Sequence, residues 1–321
     1  MQKPPHSYKP VILVTGCSTG IGFAIAKLLY SIDSYRLVLT ARPSSLEVVN
    51  REFPTSDRVW VAPLDVTSSA DRKILIHKIQ EKWNGVDILV NNAGVSFRST
   101  VEEMDEESEQ LQMETNYHGP IELIKLCLPQ MRKVGRGKII NVSSVSGMLA
   151  MPTMSSYSAS KHALEGASEA LWYEARPFGI NVSLIAPGFV RSNSYTRVKY
   201  SKKSFESRNG NSPYSKMYTS MEPFISRLMN RGLSTPESIA KLVVLVIRTQ
   251  DPPLWIPASY DAEFFYYLRR FFSRRILSRI LYRLLPNVTS WGENFTRKRN
   301  HWIWPLNIVR NWWQNRRSSI R

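Results

Sequence analysis

Tyr157 and Lys161 stand one helical turn apart in Tyr157-Ser-Ala-Ser-Lys161, and Ser144 precedes the tyrosine by thirteen positions. At that spacing the tyrosine and lysine share a helix face. An ammonium beside a phenol favours the phenolate, so Lys161 is expected to lower the Tyr157 pKa from its ordinary ~10. A tyrosine so placed can exchange a proton with a bound oxygen near neutral pH. Ser144, just beyond an apolar run at 138–142, can hydrogen-bond the same oxygen and stabilise negative charge developing on it. Singly these residues mean little: a Tyr or Lys on a helix is usually solvated, and the pair Ser143-Ser144 reads equally as a strand-end cap. Together they imply chemistry at a carbonyl or alcohol carbon.

The elements that must position them follow from the apolar pattern. Short apolar runs at 11–14, 36–39, 59–62, 86–90, 138–142 and 181–185 alternate with longer amphipathic stretches, the first at 21–30. Strands alternating with helices imply βαβ units. The expected fold is α/β, a Rossmann-type doubly wound parallel sheet with helices on both faces, in one domain. Between 192 and 231 the pattern breaks into Ser, Tyr, Lys, Asn and Pro. A mobile substrate lid is expected there, with a plain surface loop as the alternative. Periodicity returns as a helix at 236–248, followed by a proline-rich turn at 251–257.

The first strand runs into a glycine-rich turn, Val11-Ile-Leu-Val-Thr-Gly-Cys-Ser-Thr-Gly-Ile-Gly22, and then a helix. Gly16, Gly20 and Gly22 suit a tight turn, close approach of the backbone to a pyrophosphate, and packing of the helix on the sheet. Thr15, Ser18 and Ile21 belong to the same turn, and the amides of the helix N-terminus would face the anion. The spacing G-x-x-x-G-x-G differs from G-x-G-x-x-G, so this motif alone is weak. The second strand ends at Arg42, where an NAD site would place a carboxylate for the ribose hydroxyls. An arginine there can pair with a 2′-phosphate, so NADP(H) is the expected cofactor and NAD the less favoured one. An exposed arginine without a ligand is the ordinary alternative. Cys17 and Cys127 lie far apart without ligand spacing, so no metal is expected and both read as packed, reduced thiols.

Asn91-Asn-Ala-Gly94 follows the apolar run at 86–90, and the three motifs occur in order. Over about residues 10–250 the chain resembles the short-chain dehydrogenase/reductase family, in particular members acting on lipophilic alcohols and ketones such as 17-beta-hydroxysteroids and retinol. The resemblance implies cofactor contacts at Asn92, Ala93 and Gly94, adenine contacts at Asp65 and Val66, and ribose contacts at Tyr157 and Lys161. Pro187, Gly188, Val190 and Ser192 match the segment that binds the nicotinamide carboxamide; Ser192 replaces the usual threonine but keeps the hydroxyl. Asn116, in Thr115-Asn-Tyr-His-Gly119, matches the residue supporting a water chain to the lysine. Family spacing selects Ser144 over Ser143 as the catalytic serine beside Tyr157. The implied activity is NADPH-dependent reduction of a lipophilic carbonyl compound: a steroid, a retinoid or a long-chain keto compound. A homodimer through the helices carrying Asn116 and Tyr157 stays open. So do two alternatives, a catalytically silent dinucleotide-binding scaffold and an enzyme acting on a water-soluble substrate.

Hydrophobic residues make up 43% of the 321, enough for a sizeable core. The formal charge of +17 is uneven: positions 264–321 carry +12 and the preceding 263 residues only +5. Nucleic acid is therefore not an expected partner of the body. From 263 to 285, apolar residues at 264/265, 268, 271/272, 276/277, 280/281 and 284/285 alternate with arginines at 269, 270, 274, 275, 279 and 283. This pattern is a basic amphipathic helix. Its apolar face either packs over the substrate cleft or a partner subunit, or lies in a membrane interface with its arginines on anionic headgroups. Trp291, Trp302, Trp304, Trp312 and Trp313 suit such an interface. Residues 1–10 are polar and no run approaches the ~18 apolar residues of a membrane span, so a cytoplasmic, peripherally attached protein is expected. The N-x-S/T triplets at Asn287 and Asn294 then need no glycosylation. Residues 1–262 form the expected catalytic domain, and 263–321 a helical extension.

Overall fold

Strands buried on both faces read as continuous apolar runs, and side chains of alternate parity serve opposite layers. Ile12 and Val14 enter one core cluster while Val11 and Leu13 enter the other, all fully buried. The computed structural model of the chain describes residues 8–192, 198–210 and 212–292. Seven parallel strands form its main sheet: β1 (Val11–Val14), β2 (Arg36–Ala41), β3 (Val59–Pro63), β4 (Ile88–Asn91), β6 (Gly137–Val142), β7 (Ile180–Ala186) and β9 (Trp255–Pro257). Their order is β3-β2-β1-β4-β6-β7-β9. A second, two-stranded parallel sheet joins β5 (Phe97–Arg98) to β8 (Lys199–Tyr200).

Helices α1 (Gly20–Tyr30), α2 (Leu46–Glu52) and α9 (Pro236–Arg248) supply one core cluster. Helices α3 (Ser69–Trp83), α5 (Gly119–Val134) and α6 (Ser155–Ala175) supply the cluster on the opposite face. Helix α4 (Glu106–Met113) passes into α5 through a single π-type turn at Glu114–His118. Cys17 and Cys127 are buried free thiols, and burial pushes both up to about 12. Because the strand order reverses between β1 and β4, a crevice opens beyond their carboxyl ends, where open α/β sheets bind ligands.

The structure corrects three local expectations. The proline-rich 251–257 segment is not only a turn, since Trp255–Pro257 pairs with β7 as an edge strand, where proline is tolerated. The polar stretch after Ser192 contains two helices, α7 (Lys202–Asn209) and α8 (Ser215–Arg231). Tyr218, Met221 and Ile225 of α8 are buried at helical spacing, although Pro223 interrupts the pattern. Residues 193–197 and 211 of this stretch lie outside the described residues. The basic amphipathic segment forms two helices rather than one, α10 (Tyr260–Phe271) and α11 (Arg274–Leu284), with Phe272 extended between them. The tail tryptophans 302, 304, 312 and 313 and Asn294 lie outside the described residues.

One buried carboxylate fastens the α7–α8 segment to the body. Glu103 accepts hydrogen bonds from the hydroxyls of Ser207 (2.5 Å), Ser212 (2.7 Å) and Tyr218 (2.7 Å). Its backbone carbonyl accepts from the Ser201 hydroxyl at 2.6 Å. Leaving such donors unpaired costs about 1–3 kcal/mol each. Glu103→Ala is expected to lower stability by at least about 2 kcal/mol. It should also speed amide exchange in 198–231 while β1, β4 and β6 stay protected; unchanged exchange in that segment would exclude the latch.

Candidate active site

The crevice is built first from backbone. The Thr15 hydroxyl accepts from the amides of Asn92 and Ala93, both at 3.0 Å. The Asn92 side-chain amide donates to the carbonyls of Thr15 (2.9 Å) and Gly16 (3.2 Å). Gly16 and Gly20 have φ of +73° and +58°, which an L side chain would strain. A Cβ on Gly22 would lie 2.1 Å from the Gly16 carbonyl oxygen, so helix and turn touch only because this residue is glycine. Neither a capping side chain nor a carboxylate occupies the first turn of α1. Its amides are left to an anion, and a dinucleotide pyrophosphate fits this cradle.

Of the residues singled out in the sequence, all but Thr15 and Asn116 line one cavity of about 540 Å³. Arg42 is exposed at its rim, and its guanidinium makes no hydrogen bond or ion pair with a described residue. The Asp65 carboxylate faces back onto its own turn, accepting from the Thr67 amide (2.9 Å) and hydroxyl (2.8 Å). Asn116 is fully buried in the π-type turn and touches the lysine only indirectly. It accepts from the Val95 amide (2.9 Å) and donates to the Val95 carbonyl (2.9 Å) and the Ser160 hydroxyl (3.0 Å). Asn116 thus fixes the strand end that carries Gly94.

Helix α6 presents Tyr157, Lys161 and Glu165 on successive turns. The Lys161 ammonium donates to the Val142 carbonyl at 2.8 Å and lies 6.0 Å from the Tyr157 ring centre. Here the expected electrostatics are corrected. Burial pushes the Tyr157 phenol above its ordinary range, a hydrogen bond with Ser144 pulls the other way, and Glu165 adds to the rise. Desolvation of the hydroxyl dominates, and the Lys161 ammonium is turned toward the Val142 carbonyl. Burial also pushes Lys161 down to about 8, against the attraction of Glu165.

Glu165 is a residue that sequence reasoning missed. It is 4% exposed and accepts from the Ser143 hydroxyl at 2.6 Å. A Cβ on Gly147 would sit 2.1 Å from its carboxylate, so that glycine makes room for it. Ser143 therefore supports Glu165, while Ser144 faces the cavity. Burial raises Glu165 to about 7, opposed by the Ser143 hydrogen bond, Lys161 and Arg269 of α10. The one available signal was its spacing, four positions after Lys161, which on an exposed helix is an ordinary ion pair.

The loop after β7 is held from the C-terminal side. The Gly188 amide donates to the Ser259 hydroxyl (2.9 Å), and the Phe189 amide donates to the Asp261 carboxylate (2.6 Å). Phe265, one turn further along α10, lines the cavity.

Comparison with known proteins places this geometry. Residues 10–203 match the family profile described as short chain dehydrogenase. A 3-ketodihydrosphingosine reductase from Bacteroides thetaiotaomicron is 39% identical over 178 residues, 56% of this chain and 63% of the reductase. The match thus spans less than two thirds of that relative's length. A short-chain dehydrogenase structure from Streptomyces avermitilis superposes with a TM-score of 0.70 at 30% identity, covering 89% of this chain and 98% of the other. A metagenomic short-chain oxidoreductase in complex with NADP superposes with a TM-score of 0.59 at 27% identity, covering 77% of this chain and 96% of the other.

Glu165 supplies a test of the buried charges. Its folded pKa of about 7 lies above the ordinary 4.5, so the folded protein holds a proton that the unfolded chain has released. Stability from this group therefore falls as pH rises from about 4.5 to 7. Glu165→Gln is expected to remove that loss, up to about 3 kcal/mol at roughly pH 8, with little change at about pH 5. Urea midpoints at the two pH values measure it; an equal effect at both would contradict the raised pKa.

Proposed function

This chain belongs to the short-chain dehydrogenase family, and we propose that it is an NADP(H)-dependent oxidoreductase that reduces the carbonyl group of a lipophilic substrate. The observation that carries the reading is one cavity joining the glycine-rich turn to Ser144, Tyr157 and Lys161. Thr15, Gly16, Ser18, Gly20, Ile21 and Gly22 would hold the pyrophosphate, with Asp65 and Val66 at the adenine. Asn92, Ala93 and Gly94 would flank the sugar held by Tyr157 and Lys161, and Pro187, Gly188, Val190 and Ser192 would meet the carboxamide. Arg42 would pair with the 2′-phosphate, and the NADP held by the metagenomic relative agrees with that choice.

When bound, the dinucleotide supplies the hydride. Tyr157 supplies the proton to the substrate oxygen, and the Ser144 hydroxyl donates to that oxygen as negative charge grows on it. Lys161, still an ammonium at neutral pH with its pKa of about 8, keeps a positive charge beneath the phenol. Asn116 acts through Val95 and Ser160, holding Gly94 and α6 at a fixed separation. The substrate half of the cavity is walled by Leu149, Met151, Met154, Phe189, Ile225, Met229 and Phe265, which favours a lipophilic body. The name of the Bacteroides relative points to a long-chain keto lipid as one such compound.

Tyr157→Phe is expected to lower kcat by about 10²–10⁴ while NADPH still quenches protein fluorescence. Arg42→Ala should weaken NADPH at least about tenfold, the loss of one charge-assisted contact, and leave NADH unaffected. Failure of wild-type protein to bind either nucleotide would overturn the enzyme reading.

The C-terminal helices support peripheral docking on an anionic membrane. Phe264 (60%), Phe271 (78%), Ile276 (49%) and Leu284 (66%) are exposed among the arginines of α10 and α11. No described helix is long and apolar enough to cross a membrane. An interfacial helix buries such side chains and sets its arginines against headgroups. Phe271→Glu combined with Ile276→Glu is expected to cut partition onto phosphatidylserine vesicles at least about tenfold. Equal partition would leave the two helices as a cover for the cleft alone.

A further inference from the structure

Arg98 is a buried cation with nothing to neutralise it. Among the described residues two arginines are buried, each 7% exposed, Arg72 and Arg98. Arg72 donates from its guanidinium to the Val66 carbonyl at 2.5 Å. The Arg98 guanidinium makes no hydrogen bond, ion pair or ring stack with any described residue, and its Nε is enclosed without a partner. Its two terminal nitrogens are not enclosed, so the charged fork opens onto the cavity that the residue lines, where a planar anion could pair with it.

The position of Arg98 says where that anion arrives. Arg98 ends β5, and the next residue bonds to the chain just before α6: the Ser99 amide donates to the Thr153 carbonyl at 2.9 Å. Within β5, Phe97 and Arg98 point to opposite sides, and Arg98 is the one that lines the cavity. Lys199, paired with Phe97 across the small sheet, projects to the Phe97 side, away from Arg98, and holds its ammonium 5.5 Å from the Phe97 ring centre. The described lining contains a single carboxylate, Asp65, which follows β3, three strands from β4 in the sheet. Among the described residues, the substrate half therefore offers the Arg98 cation and no anion within apolar walls.

We propose that Arg98 is a receptor for an anionic group on the substrate, so that the carbonyl compound taken by this cavity is an anionic amphiphile. The inference rests on the reductase reading and specifies its substrate class: an apolar body bearing a carboxylate or a phosphate. Both headgroups accept the planar fork of an arginine in paired hydrogen bonds, and a neutral ketone of equal length would leave Arg98 unpaired. Discrimination against an analogue lacking the group is large when a buried polar partner is stranded.

The full-length protein, with and without saturating NADP, is titrated with dodecanoate, dodecyl phosphate and dodecanol by calorimetry. At least one anion is expected to bind ten or more times tighter than the alcohol, and the stronger of the two identifies the headgroup. Arg98→Met should reduce that preference at least fivefold with NADPH affinity within a factor of two. Equal binding of anions and alcohol by the wild type, a preference that survives Arg98→Met, or a variant that loses NADPH instead would each overturn the receptor. Absence of NADPH binding in the wild type would overturn the reductase reading alone, and titration of the nucleotide-free protein would still decide the receptor.

Discussion

Two strand ends meet where the sheet reverses direction, and the contact between Thr15 and Asn92 keeps them in register. The threonine hydroxyl takes two amides of the segment after β4, and the asparagine side chain returns two bonds to the carbonyls of the segment after β1. Thr15 is 1% exposed and Asn92 partly buried, so stranding the threonine hydroxyl would cost about 1–3 kcal/mol and the partly wet asparagine less. The lock leaves no room above it: a Cβ on Gly22 would come within 2.3 Å of the Asn92 side chain. The glycine-rich turn, the amides of α1 and one edge of the cavity are all arranged around that contact.

A second constraint is the ruler of α6. Its residues 157, 161 and 165 place a phenol, an ammonium and a carboxylate on successive turns, and enclosure acts on each against ionisation. Lys161 falls toward 8 and Glu165 rises toward 7. A lone buried lysine would lose more of its charge, and a lone buried glutamate would stay neutral over a wider range. Because they share a helix face, each offsets part of the other's desolvation. Ser143 fixes the carboxylate end and Val142 the ammonium end. The two residues preceding Ser144 in sequence thus hold the two charges of α6 in place.

The sheet and the glycine-rich turn were legible because buried parallel strands leave unbroken apolar runs, and because glycine is needed where backbone approaches backbone. Edge and lid elements left weaker marks. The strand at Trp255–Pro257 is three residues long beside prolines, and α8 carries Pro223 in its interior. The break between α10 and α11 falls at Phe272, inside an apolar-and-arginine pattern that runs on through it unchanged. Pairwise charge logic suggested a depressed Tyr157 pKa, but burial of the hydroxyl, which no sequence spacing encodes, sends it upward. Arg98 and Glu165 were invisible for the same reason: each is an ordinary surface residue type whose meaning comes from enclosure.

Enclosure also decides how the C-terminal helices relate to the site. Asp261 lies in the first turn of α10, where a carboxylate suits the helix dipole, and there it takes the Phe189 amide. Gly188 must lack a side chain because a Cβ would stand 1.9 Å from that carboxylate. One turn on, Phe265 walls the cavity, and one further turn on, Arg269 favours ionised Glu165. The opposite face of the same helix carries Phe264 and Phe271 into solvent. A force applied to that outer face therefore reaches the Gly188 loop through two hydrogen bonds and the α6 carboxylate through one charge. No hinge lies between them within α10, so its outer and inner faces must move as one body.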